Sequence, residues 1–514
     1  MKNENIENVN SSHQIKRGAI ISYAAIIFNI VAGLIYTPWM IKQIGRSDYG
    51  LYILVTSFLS YFVMDFGLGS AIARFIAKYR SQHDDEKVNQ LLGLTSRFYL
   101  YISLGIFVAL LVVYAFLGQI FTELTPSELE KFYVIFCIAG FFSLLSFPFM
   151  PMDGILIAYE KFVILKFSDI ISKVGVIILM VIALLLGYKL YALVAINAAI
   201  GIIIILIKLT YIHKNIPIKV QFNYKNNKLL KELFKFSLWI TIIGIAQRLL
   251  INIVPTILGR YSGTEQIAIF SIGIIIEGYT WTFAHALNGL FLPKVSKMHL
   301  ESNNQKEITD LMIKVGRLQL LIMGLLIIGL VTFGKEFIML WMGKEFEPSY
   351  QIVLLLVLPG IITLTQEIAS TYLFVVNEVR YRAGIFIVAS IVSVIIGIVL
   401  SPSIGALGCA IGIFIATMSC HVIGMNYVYW KVLKLNIFRF FKECYLGLLM
   451  PLGLTLIIGF LINKYYPAHN LFMFAPKAIA LSFIYGFLMF FFGINESEKQ
   501  MFRSLLSKLP FIKQ

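Results

Sequence analysis

Residues 236–259 read FSLWITIIGIAQRLLINIVPTILG. The stretch is nearly unbroken in apolar character, and as a helix its 24 residues extend about 36 Å. A bilayer's hydrocarbon core is about 30 Å thick, so the stretch predicts a membrane-spanning helix. Arg248 falls at its middle. At ~15 Å from either surface its side chain cannot easily snorkel out, and a guanidinium at that depth costs at least ~2.5–3.5 kcal/mol. Arg248 is therefore expected to face other protein or a water-filled cavity. Thr241, Gly244, Arg248, Asn252, Pro255 and Gly259 follow at steps of three or four and make one small, polar stripe on the helix. One wet face with a buried positive charge points to a path for something negatively charged.

The rest of the chain has the same character. Its mean hydropathy is +0.84, and 59% of its 514 residues are hydrophobic, against about 45–50% in soluble proteins. The net charge of +16 raises nucleic acid as a partner, but its distribution answers that question. Apolar runs mark 14 spans: 18–40, 49–72, 91–118, 131–155, 167–187, 190–212, 236–259, 266–291, 311–334, 351–376, 381–401, 404–428, 444–463 and 477–494. Spans 2 and 8 are expected to continue to Tyr79 and Met298. With a cytoplasmic amino terminus, inner segments carry 29 Lys and Arg and outer loops 9. That bias predicts both termini inside and accounts for the basic charge without nucleic acid. Cys137, Cys409, Cys420 and Cys444 lie in or beside apolar runs with no metal-ligand or CxxC spacing, and read as small hydrophobic residues. Lys16 and Arg17 precede a full-length span with no cleavage signature, so the first helix is expected to stay as an anchor.

The chain repeats itself at a shift of 217–220 residues. Pro38 answers to Pro255, Glu160 to Glu378, Lys78 to Lys297, Gly187 to Gly405, and RFYLYI from Arg97 to RLQLLI from Arg317. Each unit holds six spans, an even number, so both insert the same way up, with a site expected between them. The expected organisation is a first lobe over 1–212, a basic cytoplasmic linker with six lysines over 213–235, and a second lobe over 236–430. Residues 431–514 then hold two extra helices and an amphipathic tail. The linker reads most simply as solvated and touching anionic headgroups. Residues 436–442, NIFRFFK, and the tail from Glu496 to Lys513 read as interfacial.

Four motifs carry a family resemblance over residues 15 to 495: IGRSDYGLY (44–52), DFGLGSAIARFIAKYR (65–80), LNGLFLPKVSKM (287–298) and IGALGCAIGIFIAT (404–417). Their order resembles the oligosaccharide-flippase branch of the MOP exporter superfamily, the Wzx-type polysaccharide transporters. The resemblance implies an all-α integral membrane protein with 14 transmembrane helices, as two parallel six-helix lobes of MATE/MOP type plus two C-terminal helices. It also implies alternating access and a cargo of undecaprenyl-diphosphate-linked glycan, carried from the inner to the outer leaflet of a bacterial inner membrane. Membrane lipids and polysaccharide polymerase or assembly proteins follow as partners.

A diphosphate crossing a low-dielectric layer calls for fixed guanidinium or ammonium groups. Arg248 is the first candidate, against a structural ion pair with Glu277 or Asp65. Lys173 stands one helical step from Asp169, so an i,i+4 ion pair competes with substrate binding. Arg74, Arg97 and Arg317 lie near cytoplasmic span ends, where they either reach headgroups or form a basic mouth. Asn29 and Asn252 offer hydrogen bonds to cargo, against helix–helix bonding. Asp65, Glu277 and Glu367 fall inside spans and are candidates for H⁺ or Na⁺ coupling, against structural pairing. His285 reads as a core histidine. Prolines 38, 148, 151, 255, 359 and 451 mark kinks.

No cofactor is called for. The chain has no P-loop, GxSxG or HExxH pattern, and the outer loops are short for a membrane glycan polymerase or ligase. Alternatives within the superfamily are a peptidoglycan lipid-precursor flippase and a multidrug/cation antiporter. The antiporter fits less well, because 14 spans and Arg248 depart from a 12-helix, acid-lined pattern.

Overall fold

Inside a bilayer no water is present to bond exposed N–H and C=O groups, so long apolar runs satisfy their backbone as helix. The computed structural model describes residues 30–285, 291–301, 304–496 and 498–500, and among them the regular structure is all helical. In chain order the helices are α1 (30–44), α2 (Arg46–Leu59), α3 (Leu68–Ser81), α4 (Asp85–Ile120), α5 (Pro126–Ala158), α6 (Phe162–Leu185), α7 (Leu190–Asn215) and α8 (227–261). They continue as α9 (Thr264–His285), α10 (Leu292–Glu301), α11 (Gln305–Met342), α12 (Ser349–Val375), α13 (Val379–Ile404), α14 (Ala406–Lys431), α15 (Ile437–Tyr465) and α16 (Leu471–Gly493).

Among the described residues eleven helices, α4–α8 and α11–α16, are long and apolar enough to cross a membrane. The other three expected spans fall differently. Residues 18–29 and 286–290 lie outside the described residues, as do residues 501–514 of the tail. Expected span 49–72 is not one helix: α2 stops at Leu59 and α3 starts at Leu68. The expected interfacial segment 436–442 forms the start of α15, capped by the Asn436 side chain, which accepts from the Arg439 N–H at 2.9 Å.

The chain divides into two compact units, residues 1–271 with 386–412, and residues 272–385 with 413–514. In the first unit, ring pairs join α2 to α4 and α5. Phe58 meets Phe121 at 5.9 Å and Phe136 at 6.1 Å, and Phe121 meets Phe132 at 5.2 Å between centroids. At one end of this unit Glu128 accepts hydrogen bonds from the Ser47 and Thr264 hydroxyls, beside an Arg46–Glu265 ion pair at 2.6 Å.

The expected linker is docked over part of its length. Gly93 of α4 lies so close to the Gln221 carbonyl that a Cβ there would sit 1.9 Å from its oxygen. The Lys219 N–H donates to the Asn89 side chain at 2.7 Å, and the Gln221 N–H to the Asn89 carbonyl at 3.2 Å.

The second unit has one core in which Phe440, Cys444 and Leu448 of α15 and Leu481, Tyr485 and Met489 of α16 join α11. Buried ion pairs fasten both ends. Arg317 meets Glu498 at 2.7 Å, and Lys477 meets Glu336.

Backbone geometry recurs at the sequence shift. Left-handed φ angles fall at Gly45 (87°) and Gly263 (84°), at Glu160 (56°) and Asn377 (59°), and at Gly187 (85°) and Gly405 (57°). The members of these pairs stand 217 or 218 residues apart.

Candidate functional site

Between α2 and α3 the backbone leaves the helix beside the membrane-length helix α8. Phe66 and Gly67 adopt φ of 52° and 64°, which ends α2's direction and restarts the helix at Leu68. Such a break exposes carbonyls, each costing several kcal/mol if left unbonded in hydrocarbon. α8 supplies the partners. Its Thr241 hydroxyl donates to the Phe66 carbonyl, Arg248 Nη2 donates to the Val63 carbonyl at 3.2 Å, and Asn252 Nδ2 donates to Ser60 Oγ at 2.9 Å.

These α8 residues come from the polar stripe read in the sequence, with one change. Arg248–Asn252 form a π-helical turn between the α-helical segments Asn227–Gln247 and Val254–Tyr261. A π turn adds a residue to the repeat, so the stripe beyond it advances.

Arg248 is half-buried near the middle of the span Ser237–Tyr261. Among the described residues it makes no ion pair, and its hydrogen bond is to a neutral carbonyl. The expected structural partner Asp65 is occupied elsewhere. Its carboxylate accepts from the Gly69 N–H at 2.9 and 3.1 Å and from the Tyr99 hydroxyl at 2.7 Å.

The remaining candidates are spread out. Lys173 is exposed on α6, and Asp169 pairs with Lys166 at 3.7 Å, so the expected Asp169–Lys173 ion pair does not form. An i,i+3 lysine outcompetes the i,i+4 one here. Arg74 is exposed on α3. Asn29 lies outside the described residues.

Arg97 Nη2 donates to the Tyr224 carbonyl at 2.8 Å, and Arg317 Nη1 donates to the Glu443 carbonyl at 3.1 Å. Both the arginines and their acceptors stand at the repeat shift, so each arginine ties down the chain that follows its own half. Arg317 goes further. Its Nε and Nη2 grip Glu498 at 2.7 and 3.1 Å, Nη2 also donates to the Gly493 carbonyl at 2.8 Å, and the side chain is buried.

In the second unit Glu277 accepts from the Trp281 indole one turn on. Glu367 lies near Arg382, whose Nη1 donates to Ser370 Oγ at 2.8 Å, while Gln366 donates to Asn426 at 2.7 Å. Sequence reasoning passed over Tyr99, Arg382 and Glu498. Tyr99 and Glu498 bond partners 34 and 181 residues away, and no local pattern signals such pairings.

Eleven membrane-length helices define a multi-pass membrane protein, in which polar side chains of α8 bond the break between α2 and α3. Residues 15–276, just over half the chain, match the polysaccharide biosynthesis protein family, the family of Wzx-type flippases, and the chain belongs to it. No curated protein matches the chain.

Three solved structures are similar in fold. One is described as lipid II flippase MurJ in an inward closed conformation, at 16% identity and TM-score 0.67, covering 97% of this chain and 100% of that one. Another is an inward-facing multidrug resistance MATE family transporter of the MOP superfamily, at 13% identity and TM-score 0.66, with 81% and 99% covered. A third is a MOP superfamily transporter from Pyrococcus furiosus, at 13% identity and TM-score 0.55, with 84% and 96% covered. By family the protein belongs to polysaccharide biosynthesis, and by fold it is similar to these flippase and transporter structures.

Proposed function

We propose that the protein carries a polyprenyl (undecaprenyl)-diphosphate-linked oligosaccharide from the inner to the outer leaflet of a bacterial plasma membrane by alternating access. The observation that carries this reading is Arg248, a mid-span guanidinium held by one carbonyl and no carboxylate. A positive charge at that depth is stabilised when an anion reaches it, and a diphosphate supplies two or so negative charges. Asn252, beside it on α8, is proposed to share in cargo binding, as are Asn29, Arg74 and Lys173. Arg97 and Arg317 are assigned to holding the chain that leaves each half.

The finer topology is part of the same proposal: 14 spans, both termini cytoplasmic, and six-helix repeats over 1–212 and 236–430 followed by α15 and α16. The threefold Lys/Arg bias supports the orientation, and the recurring left-handed positions support the repeats. Asp65, Glu277 and Glu367 are proposed as points of coupling to an H⁺ or Na⁺ gradient. Asp65, bonded by Tyr99, stands on the break in the second span.

Export tests the reading. In cells that depend on this protein for surface polysaccharide, Arg248→Ala should reduce surface glycan by tenfold or more at a normal protein level. Undiminished export would remove Arg248 from the mechanism.

A further inference from the structure

At the end of α3 two neighbouring motif residues part company. Arg80 turns to the end of α5, where Nη1 donates to the Ala158 carbonyl at 2.6 Å and the guanidinium lies 4.0 Å from the centre of the Tyr159 ring. Tyr79 instead lines a cavity of about 220 Å³ within the first unit. Lys87 and Gln90 of α4, Tyr224 of the linker, and Lys228 and Glu232 of α8 share in its walls. In the proposed topology all of them stand on the cytoplasmic side.

The linker is fixed where it forms the wall. Asn89 of α4 bonds the Lys219 and Gln221 N–H groups, and Arg97 holds the Tyr224 carbonyl. Asn226 Nδ2 donates to the Tyr224 hydroxyl at 2.8 Å, while its Oδ1 caps α8 by accepting from the Lys228 and Leu229 N–H groups. Tyr224 is thus held at both its carbonyl and its hydroxyl. Lys228 and Glu232 stand one turn apart on α8, and among the described residues neither side chain makes a hydrogen bond or ion pair.

The lining selects a ligand class. Sites for drug-sized molecules run to about 300–1,000 Å³, so this one takes a single ring and not a chain. Two tyrosine rings offer apolar faces, and the amide, ammonium and carboxylate groups around them offer donors and acceptors. An apolar ligand would strip water from those groups and return no partner. Lys87 pairs with Asp84 at 2.6 Å and Glu232 offsets Lys228, so the charges nearly cancel and do not favour an anion. A pyranose matches on both counts, with C–H bonds on its faces for the rings and hydroxyls around its rim for the polar groups.

We infer that this cavity is a subsite for one uncharged pyranose, with Tyr79 and Tyr224 as its platform and Lys228 and Glu232 fixing the hydroxyls. The subsite deepens the glycan-cargo reading and rests on it. It meets a sugar of the cargo before transport, apart from the diphosphate that Arg248 is proposed to take.

The test uses full-length protein in nanodiscs, saturation-transfer NMR and four probes: methyl β-glucopyranoside, N-acetylglucosamine, glucuronate and inorganic phosphate. Wild type should bind at least one of the two uncharged sugars saturably, and more tightly than glucuronate or phosphate. Glu232→Gln and Tyr79→Leu should each weaken that binding about tenfold, the scale of one hydrogen bond to a charged group. Glu232 is exposed, so Glu232→Gln should do this at an unchanged ligand-free Tm. Glucuronate or phosphate bound more tightly than either uncharged sugar would overturn the assignment in favour of an anion site. Sugar binding that neither substitution alters would overturn it by placing the sugar elsewhere in the protein. No sugar bound by wild type, with export still lost in Arg248→Ala, would overturn the subsite and leave the cargo reading standing. Sugar bound, with export unimpaired in Arg248→Ala, would do the opposite.

Discussion

Two arginines of similar standing in the sequence have different fates. Arg248 was conspicuous because a charge in an apolar run has few places to go, and the structure leaves it with a carbonyl for company. Arg317 looked like a headgroup contact, but its partner Glu498 lies 181 residues away, beyond any local pattern. Removing one member of a buried pair strands the other charge, at about 3–5 kcal/mol, whereas replacing both with apolar groups is close to neutral. Arg317→Met should therefore lower the Tm of the purified protein sharply, and Arg317→Met with Glu498→Leu should recover most of the loss. Equal Tm values for the single and double variants would show that the pair does not hold α11 to the chain after α16.

At the level of elements, spans of twenty apolar residues were readable because length and hydropathy alone decide them. The interruption at 60–67 was not, since Phe66 and Gly67 make the turn without a proline. Nor was the π turn at Arg248–Asn252. The linker shows the same limit. Its lysines suggest a solvated strand, but the glycine at position 93, four residues before Arg97, lets residues 219–224 lie directly on α4. Gly93→Val should push the linker away, cost on the order of 1–3 kcal/mol through overpacking, and speed tryptic cleavage at Lys219 and Lys225. Unchanged proteolysis would mean that the linker is not held there.

For the whole molecule, the proposed duplication rests on turn positions that recur at a near-constant spacing. Gly45 and Gly263, and Gly187 and Gly405, hold positive φ where other residues are strained. Arg97 and Arg317, 220 residues apart, bond in the same way, each to a carbonyl further along the chain. Fold and family are those of a flippase, and the proposal that its cargo is an anion rests on the charge left over at mid-span. Translocation in proteoliposomes measures this most directly. Wild type should move a labelled undecaprenyl-diphosphate oligosaccharide between leaflets, and Arg248→Ala, reconstituted at equal density, should do so at least tenfold more slowly. Equal rates for the two proteins, or no movement by wild type under any imposed H⁺ or Na⁺ gradient, would contradict the account.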